Sequence, residues 1–197
     1  MGVAEWKLGA GTGMEHLVCL TLGTGVGGAI IVNNQLIRGS KFVAGELGQS
    51  SINYNGRVGA YNNPGALEDY IGNNEFAIDA QRAYFEAGVE RFIEDCSPAS
   101  LDAAATGGDK IALACWDDFA RKLACTIANC CWLLNPEAFV IGGGLSKAGN
   151  TLFVPLRKHV NAQLSDPFSK HLKIIPAKFG NEAGIIGCAA LALEKAN

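Results

Sequence analysis

The sequence has no concentration of basic residues. Its 16 Lys and Arg are outnumbered by 19 Asp and Glu, and the formal net charge at pH 7 is −3. A nucleic-acid-binding domain normally places a basic patch on one face or along one helix. Because no such cluster occurs, we expect no nucleic-acid partner.

Paired cysteine motifs are also missing. The seven cysteines include no Cys-x-x-Cys pair, which argues against a zinc ribbon or a thioredoxin-like motif. Most of them lie in apolar stretches, and the adjacent Cys130 and Cys131 fall in a helical pattern. We interpret them as small buried hydrophobic residues in a reducing compartment.

Long apolar runs are absent too. No run reaches the roughly 20 residues that a membrane-spanning helix needs, and the charged first residues do not resemble a signal peptide. We therefore expect a cytoplasmic protein with no membrane partner. The sequence does have enough apolar material for one substantial core, since 49% of its 197 residues are hydrophobic and 18% are charged.

The first third of the chain predicts an antiparallel meander. Branched, alternating residues predict strands over 16–22 and 26–32, followed by a tight Asn-Asn turn and a short third strand over 35–38. Residues 39–64 are polar and rich in turn formers. We expect irregular loops there, where functional residues often lie.

The rest of the chain predicts alternating helices and strands. Helices are expected over 67–72, 75–88, 89–96, 110–134, 151–164 and 182–195, and strands over 139–141 and 172–177. Asp109 is placed to cap the longest helix, and Asn135-Pro136 to end it. Strand–helix–strand order favours parallel pairing through helical crossovers, so the predicted fold class is α/β, with the meander first and strand–helix units after it.

A glycine-rich turn joins the first two predicted strands and reads Gly23-Thr24-Gly25-Val26-Gly27-Gly28. Backbone N–H groups in such a turn can approach phosphate oxygens because no side chain blocks them, and the turn can demand positive φ. Thr24 adds a hydroxyl donor. From the turn alone, a plain bulged hairpin explains the glycines equally well.

Other kinds of glycine loop fit this turn less well. A dinucleotide site requires a helix directly after the glycines, and residues 29–32 have a strand pattern. A protein-kinase loop would be accompanied by His-Arg-Asp and Asp-Phe-Gly motifs, and a Walker A loop contains Gly-Lys-Ser/Thr. The sequence contains none of these motifs.

Three later segments change the interpretation of the turn. After Leu20 to Gly28 come, in order, Ala44-Gly45-Glu46-Leu47-Gly48, Gly65-Ala66-Leu67-Glu68, and Asn135-Pro136 leading to Ile141-Gly142-Gly143-Gly144. In this order and approximate spacing the chain is similar to the ROK family of sugar kinases and related repressors. The similarity runs from about Gly2 to the end of the chain and implies the actin-like, ribonuclease-H-like ATPase fold.

The resemblance implies a role for each segment. The residues that would bind ATP phosphates are Gly23, Thr24, Gly25, Gly27 and Gly28, and those against the adenosine are Gly142, Gly143 and Gly144. Sugar hydroxyls would be bound by Glu46, Gln49 and Glu68, since carboxylates accept several charge-assisted hydrogen bonds. Alternatives remain open: a surface carboxylate for Glu46, a first-turn helix charge for Glu68, and a strand-to-helix turn for the later glycines.

The chain departs from the family pattern at its zinc site. The family has a histidine where Gln49 stands and a cysteine cluster before the Leu-Glu pair, but residues 59–66 contain no cysteine. Loss of the whole donor set of a tetrahedral site argues that this chain binds no zinc, and we assign no metal-ligating residue in it. We expect Pro64 and the rings of Tyr54 and Tyr61 to pack the loop instead.

Family members also have an amino-terminal domain, with a first phosphate loop and an aspartate that is the catalytic base. Those features would precede Met1, so residues 1–197 are expected to be a single carboxy-terminal domain with no catalytic residue, inactive alone. The implied intact protein phosphorylates a hexose, glucose first, with ATP and Mg²⁺. The alternatives are a sugar-sensing or oligomerisation module of a repressor, or a degenerate protein. We expect homo-oligomers through the face that the missing domain leaves exposed.

Overall fold

The computed structural model describes residues 1–180 and 182–196, with side chains as far as Leu193. The helices are α1 (Gly2–Leu8), α2 (Glu68–Ile71), α3 (Asn73–Glu86), α4 (Pro98–Thr106), α5 (Lys110–Leu134), α6 (Asn150–Gln163), α7 (Asp166–Ser169) and α8 (Ala183–Ala196). The strands are β1 (Leu17–Leu22), β2 (Val26–Val32), β3 (Gln35–Leu36), β4 (Ala138–Gly142) and β5 (Lys173–Pro176). Short 3₁₀ turns cover Leu47–Gln49, Ile93–Cys96 and Leu145–Ala148.

The strands form one mixed sheet in the order β3-β2-β1-β4-β5. β1, β2 and β3 pair antiparallel, so the predicted meander is confirmed. Its second turn has Asn33 and Asn34 at φ 52° and 57°, the left-handed conformation that a tight two-residue turn requires. β4 pairs parallel with β1 on one side and with β5 on the other, as the strand–helix order predicted.

The long helix α5 begins and ends where the sequence predicted. The Asp109 carboxylate accepts hydrogen bonds from the N–H groups of Ile111 and Ala112, at 2.8 and 3.1 Å. It also accepts one from the Tyr84 hydroxyl, and this bond lowers the pKa of Asp109. At the other end, Asn135 adopts φ 44° and stops the helix. Local capping residues therefore define both ends of this helix.

The main core lies between the sheet and the α3–α6 layer. Leu20, Ile141 and Phe139 from the strands are fully buried there. Phe76 stacks edge-to-face on Trp116 and Phe119 of α5, with ring centroids 4.8 and 4.9 Å apart. Such aromatic contacts add to the free energy gained from buried area.

The cysteine pair on α5 belongs to this core. Cys130 and Cys131 are buried, as the sequence predicted. Burial raises the pKa of the Cys130 thiol to about 11 and that of Cys131 to about 12. Both thiols are therefore neutral near pH 7 and unsuited to redox or nucleophilic chemistry.

The opposite face of the sheet has a smaller core and a buried carboxylate. Trp6 of α1 packs there with Leu17, Cys19 and Ile31. Glu5 is fully buried, and its carboxylate accepts hydrogen bonds from the N–H groups of Ala10, Lys178 and Phe179 at 2.9, 3.0 and 2.7 Å. These bonds tie α1 to the segment after β5. No pattern in the sequence indicates this pairing.

Two predicted elements need correction. The helix expected over 89–96 is wrong: only the 3₁₀ turn Ile93–Cys96 forms, and the helix is α4, begun by Ser97, whose hydroxyl accepts from the Ser100 N–H. Pro98 takes the first turn of α4, where its missing N–H costs nothing. The third strand ends at Leu36 rather than at 38. Among the described residues, no helix combines the length and apolar character needed to cross a membrane.

Candidate functional site

The segments singled out in the sequence meet at one edge of the sheet. Thr21 of β1 lies opposite Gly142 of β4 in a parallel pair, so the turn after β1 and the glycines after β4 leave the sheet side by side. The carboxyl ends of parallel strands are the usual place for ligands in α/β sheets.

The glycine turn between β1 and β2 is anchored at its base. The Gly23 N–H donates to the Gly25 carbonyl at 3.0 Å, and the Asn73 N–H at the start of α3 donates to the Gly23 carbonyl at 2.9 Å. Two N–H groups at the tip, those of Thr24 and Gly25, make no hydrogen bond to any described residue. None of the turn glycines has positive φ, so close approach of the backbone, and not a left-handed conformation, is the reason for glycine here.

Glu68, the first residue of α2, is bonded directly to this turn. Its Oε2 accepts a hydrogen bond from the Val26 N–H at 2.8 Å. A Cβ at Gly25 would lie only 2.3 Å from that oxygen, so the carboxylate can reach the backbone only because Gly25 has no side chain. The acidic side chain expected on the sugar side therefore touches the predicted phosphate turn.

Gln49 also contacts the Glu68 carboxylate. Its Nε2 donates to Oε1 of Glu68 at 3.3 Å, so both carboxylate oxygens of Glu68 are engaged. Glu46 lies three residues earlier and is exposed. Its backbone carbonyl accepts a hydrogen bond from the Gln49 N–H at 3.0 Å, and its carboxylate makes no hydrogen bond or ion pair to the described residues. A Cβ at Gly28 would lie 2.3 Å from the Gly45 carbonyl oxygen, which shows how closely this loop packs on β2.

The loop between Gln49 and Glu68 is held by hydrogen bonds. The Asn63 amide donates to the Gln49 carbonyl, and the Ser51 hydroxyl donates to the Pro64 carbonyl at 2.7 Å. The Ser50 hydroxyl lies 3.0 Å from that of buried Thr126 on α5. Within the described ranges, no group of three or more His, Cys, Asp or Glu is placed to hold a metal ion.

The expected packing of this loop by tyrosine rings is wrong. Tyr54 and Tyr61 are 83% and 74% exposed. The ring that does contribute is that of Tyr70, on which the Arg57 guanidinium stacks at 4.4 Å from the centroid. Hydrogen bonds from short polar side chains hold this loop, and packed tyrosine rings do not.

The three glycines after β4 differ in what surrounds them. Gly143 has φ 90°, and a Cβ there would lie 2.1 Å from the Leu22 carbonyl oxygen. A Cβ at Gly142 would lie 2.9 Å from the Ala177 side chain, whereas at Gly144 it would meet nothing within 4 Å. The need for a tight turn after the strand therefore explains the glycine at position 143. Gly144 has no such constraint and borders open space.

Asn73 belongs to this edge of the sheet, although the sequence did not point to it. Its N–H holds the glycine turn, and its side-chain Oδ1 is buried without a hydrogen-bond partner among the described residues. Its position directly after Gly72, at the start of an apolar-periodic stretch, was the available signal.

Known proteins resemble this chain along nearly its whole length. The ROK family profile matches residues 1–195. The glucokinase of Thermotoga maritima is 32% identical over 204 residues, which cover 98% of this chain and 63% of that protein. The xylose repressor of Caldicellulosiruptor bescii is 28% identical over 186 residues, which cover 92% of this chain and 47% of that protein.

The structure supports the same relationship. It is similar to a ROK family glucokinase from Streptomyces griseus in complex with glucose and AMPPNP, with a TM-score of 0.86 and 28% identity over 96% of this chain and 64% of that one. The predicted actin-like ATPase fold is thereby confirmed. The chain spans less than two thirds of the length of these relatives. Because the family profile covers 195 of its 197 positions, the chain belongs to the ROK family.

Proposed function

We propose that the chain supplies one half of the sugar and ATP site of a hexose kinase, with glucose as the first substrate to test. In this half the glycine turn binds phosphates, Gly144 faces the adenosine, and Glu46, Gln49 and Glu68 bind sugar hydroxyls. The observation that carries the proposal is the Glu68 carboxylate, which accepts hydrogen bonds from both the Val26 N–H and the Gln49 amide.

The groups of the turn proposed to donate hydrogen bonds to a phosphate lie at its tip. The Val26 N–H is engaged by Glu68 and the Gly23 N–H by Gly25. The groups left for a phosphate oxygen are the N–H groups of Thr24 and Gly25 and the exposed Thr24 hydroxyl. Backbone donors aimed outward from a glycine turn form a typical anion-binding concavity.

The sugar side combines one engaged and one free carboxylate. Glu68 is held in place by its two donors, which suits it to fix the orientation of a hydroxyl group. The exposed carboxylate of Glu46 has no partner among the described residues, so both of its oxygens are available. Hydrogen bonds from neutral hydroxyls to a carboxylate are charge-assisted and stronger than those between neutral groups.

The proposed reaction is an in-line phosphoryl transfer. A sugar hydroxyl oxygen attacks the γ-phosphorus of ATP, the bond from that phosphorus to the β–γ bridging oxygen breaks, and ADP leaves. The hydroxyl proton passes to a carboxylate, which we place in the part of the relatives that this chain does not span. Mg²⁺ would enter with the ATP phosphates. This half contributes positioning and charge stabilisation rather than the base.

The proposal is tested by titrating the ¹⁵N-labelled chain with glucose and then with Mg-AMPPNP, following amide signals by NMR. Glucose is expected to move the signals of Gln49 and Glu68, and the nucleotide those of Thr24, Gly25 and Gly144. Glu46→Gln should weaken glucose binding without changing the fold. Unchanged spectra at about 50 mM ligand, far above a millimolar Kd, would contradict the proposal.

A second candidate function is sugar sensing without phosphoryl transfer. It is favoured by the 28% identity with the Caldicellulosiruptor xylose repressor. The same titrations distinguish the two functions, with xylose added to the ligands. A chain that responds to a sugar but whose Thr24 and Gly25 signals ignore the nucleotide would support sensing over phosphorylation.

A further inference from the structure

A second cavity lies away from the candidate sugar and ATP site, between α3 and α5. Its volume is about 410 Å³, which is within the range of small-molecule sites. Its apolar wall comes mainly from six side chains on the two helices: Phe76, Ala80, Ala83, Ile111, Ala114 and Phe119. None of the residues that line the cavity is among those proposed to bind the sugar or ATP.

The two carboxylates that line the cavity, those of Asp79 and Asp118, are both paired with cations. Asp79 is surrounded by Lys122 at 3.2 Å, Arg82 at 3.7 Å and Arg57 at 3.8 Å. Asp118 is paired with the same lysine at 2.7 Å and also with Arg121. Both carboxylates of the rim are therefore already compensated by cations.

Lys110 adds an uncompensated positive charge at one end of the cavity. It lines the cavity, is exposed, and makes no ion pair with any described residue. The Cys115 thiol also lines the cavity; burial raises its pKa to about 11, so it carries no charge near pH 7. An entering ligand thus meets an apolar wall, two compensated carboxylates and the unpaired Lys110.

We propose that this cavity binds a small organic carboxylate with an unbranched apolar body, its chain among Phe76, Ala80 and Ala114 and its carboxylate at Lys110. The apolar wall favours the chain through the hydrophobic effect, and the unpaired charge of Lys110 favours an anion over a neutral or cationic head group. This site is independent of the proposed sugar and ATP site.

The first test compares three matched probes: octanoate, octanol and octylamine. Each is titrated into the ¹⁵N-labelled full chain while the amide signals of Ala83, Ile111 and Ala114 are followed. Octanoate is expected to bind with a Kd on the order of 1 mM, consistent with its size. Octanol should bind more weakly and octylamine most weakly. Equal or tighter binding of octylamine, or no response to octanoate at about 20 mM, would overturn the proposal.

The second test changes the cavity itself. Ala114→Phe should fill it from an exposed position of α5 and weaken octanoate binding about tenfold or more. Lys110→Gln should weaken it about fivefold, as expected for one charge pair near the surface. The matched controls are Leu113→Phe, on the same helix outside the cavity wall, and Lys158→Gln, on α6. Undiminished octanoate binding by a folded Ala114→Phe variant rejects the site, and so does equal weakening by Leu113→Phe.

Discussion

Within each of the two glycine segments at the edge of the sheet, neighbouring glycines serve different purposes. In the segment after β4, Gly143 is needed by the fold, because a side chain there would strike the Leu22 backbone, while Gly144 borders open space. In the turn after β1, Gly28 is needed for the loop that carries Glu46, while a Cβ at Gly27 would meet no atom closer than 3.9 Å. Each segment thus combines a glycine required for packing with one that leaves room.

Because of this difference, substitutions at neighbouring glycines should affect either folding stability or ligand binding. A Cβ at a packing glycine must displace backbone, which costs folding free energy. A Cβ at a glycine beside open space costs the fold little and acts only when a ligand fills that space. Paired substitutions can therefore tell the two roles apart.

The largest effect is expected for Gly143→Ala. Its φ of 90° disfavours any side chain, and a Cβ would lie 2.1 Å from the Leu22 carbonyl oxygen. Strain and overpacking together should lower the free energy of unfolding by about 3 kcal/mol. Urea denaturation followed by circular dichroism measures the change. A loss below about 0.5 kcal/mol would show that the edge of the sheet adjusts freely.

Gly28→Ala should have the next largest effect, lowering the free energy of unfolding by about 1–3 kcal/mol. The new methyl group would press on the Gly45 carbonyl and on Leu47, so the glucose response of Gln49 should weaken as well. The control is Gly27→Ala, whose expected change is within about 0.5 kcal/mol. Similar losses for the two variants would mean that the contact with Gly45 is not what limits position 28.

Glu68→Gln should cost about 1 kcal/mol, since it replaces a charge-assisted hydrogen bond from the Val26 N–H with a neutral one. The substitution also brings a second amide NH₂ group close to the Gln49 amide, which donates a hydrogen bond to the Glu68 carboxylate in the native protein. The Val26 amide signal should shift in the unliganded protein. Glu46→Gln serves as the comparison and should leave the free energy of unfolding and the Val26 signal unchanged.

Gly144→Ala should have the smallest effect on stability. The residue has helical φ and ψ of −59° and −43°, so alanine is expected to leave the free energy of unfolding unchanged or raise it by up to about 1 kcal/mol. Binding of Mg-AMPPNP should nevertheless weaken about fivefold or more, because the methyl group would occupy the proposed adenosine space. Unchanged nucleotide affinity, measured by calorimetry, would remove Gly144 from the proposed site.

Much of the fold could be predicted because its signals are local. The ends of α5 depend on Asp109 and Asn135, and the tight turn depends on two adjacent asparagines. The four segments stand out through their resemblance to the ROK family in residues, order and spacing, and β1–β4 pairing places two of them side by side.

Contacts that depend on distant residues could not be predicted. The Glu68–Val26 hydrogen bond spans 42 positions, and nothing in either segment alone indicates it. Tyr54 and Tyr61 are apolar enough to suggest packing, but the loop satisfies its backbone through Asn63 and Ser51 and leaves both rings exposed. The helix expected over 89–96 failed because Ser97-Pro98 is a stronger start signal than the apolar pattern before it.

The Glu5 carboxylate has a consequence for the order of folding. It bonds to N–H groups 173 and 174 positions away, so it closes a loop that contains nearly the whole sheet. The entropy cost of such a loop is recovered only after β4 and β5 have paired. We therefore expect α1 to dock last as the chain folds and to detach first from the native state. Its amide protons should then exchange with solvent well before those of α5.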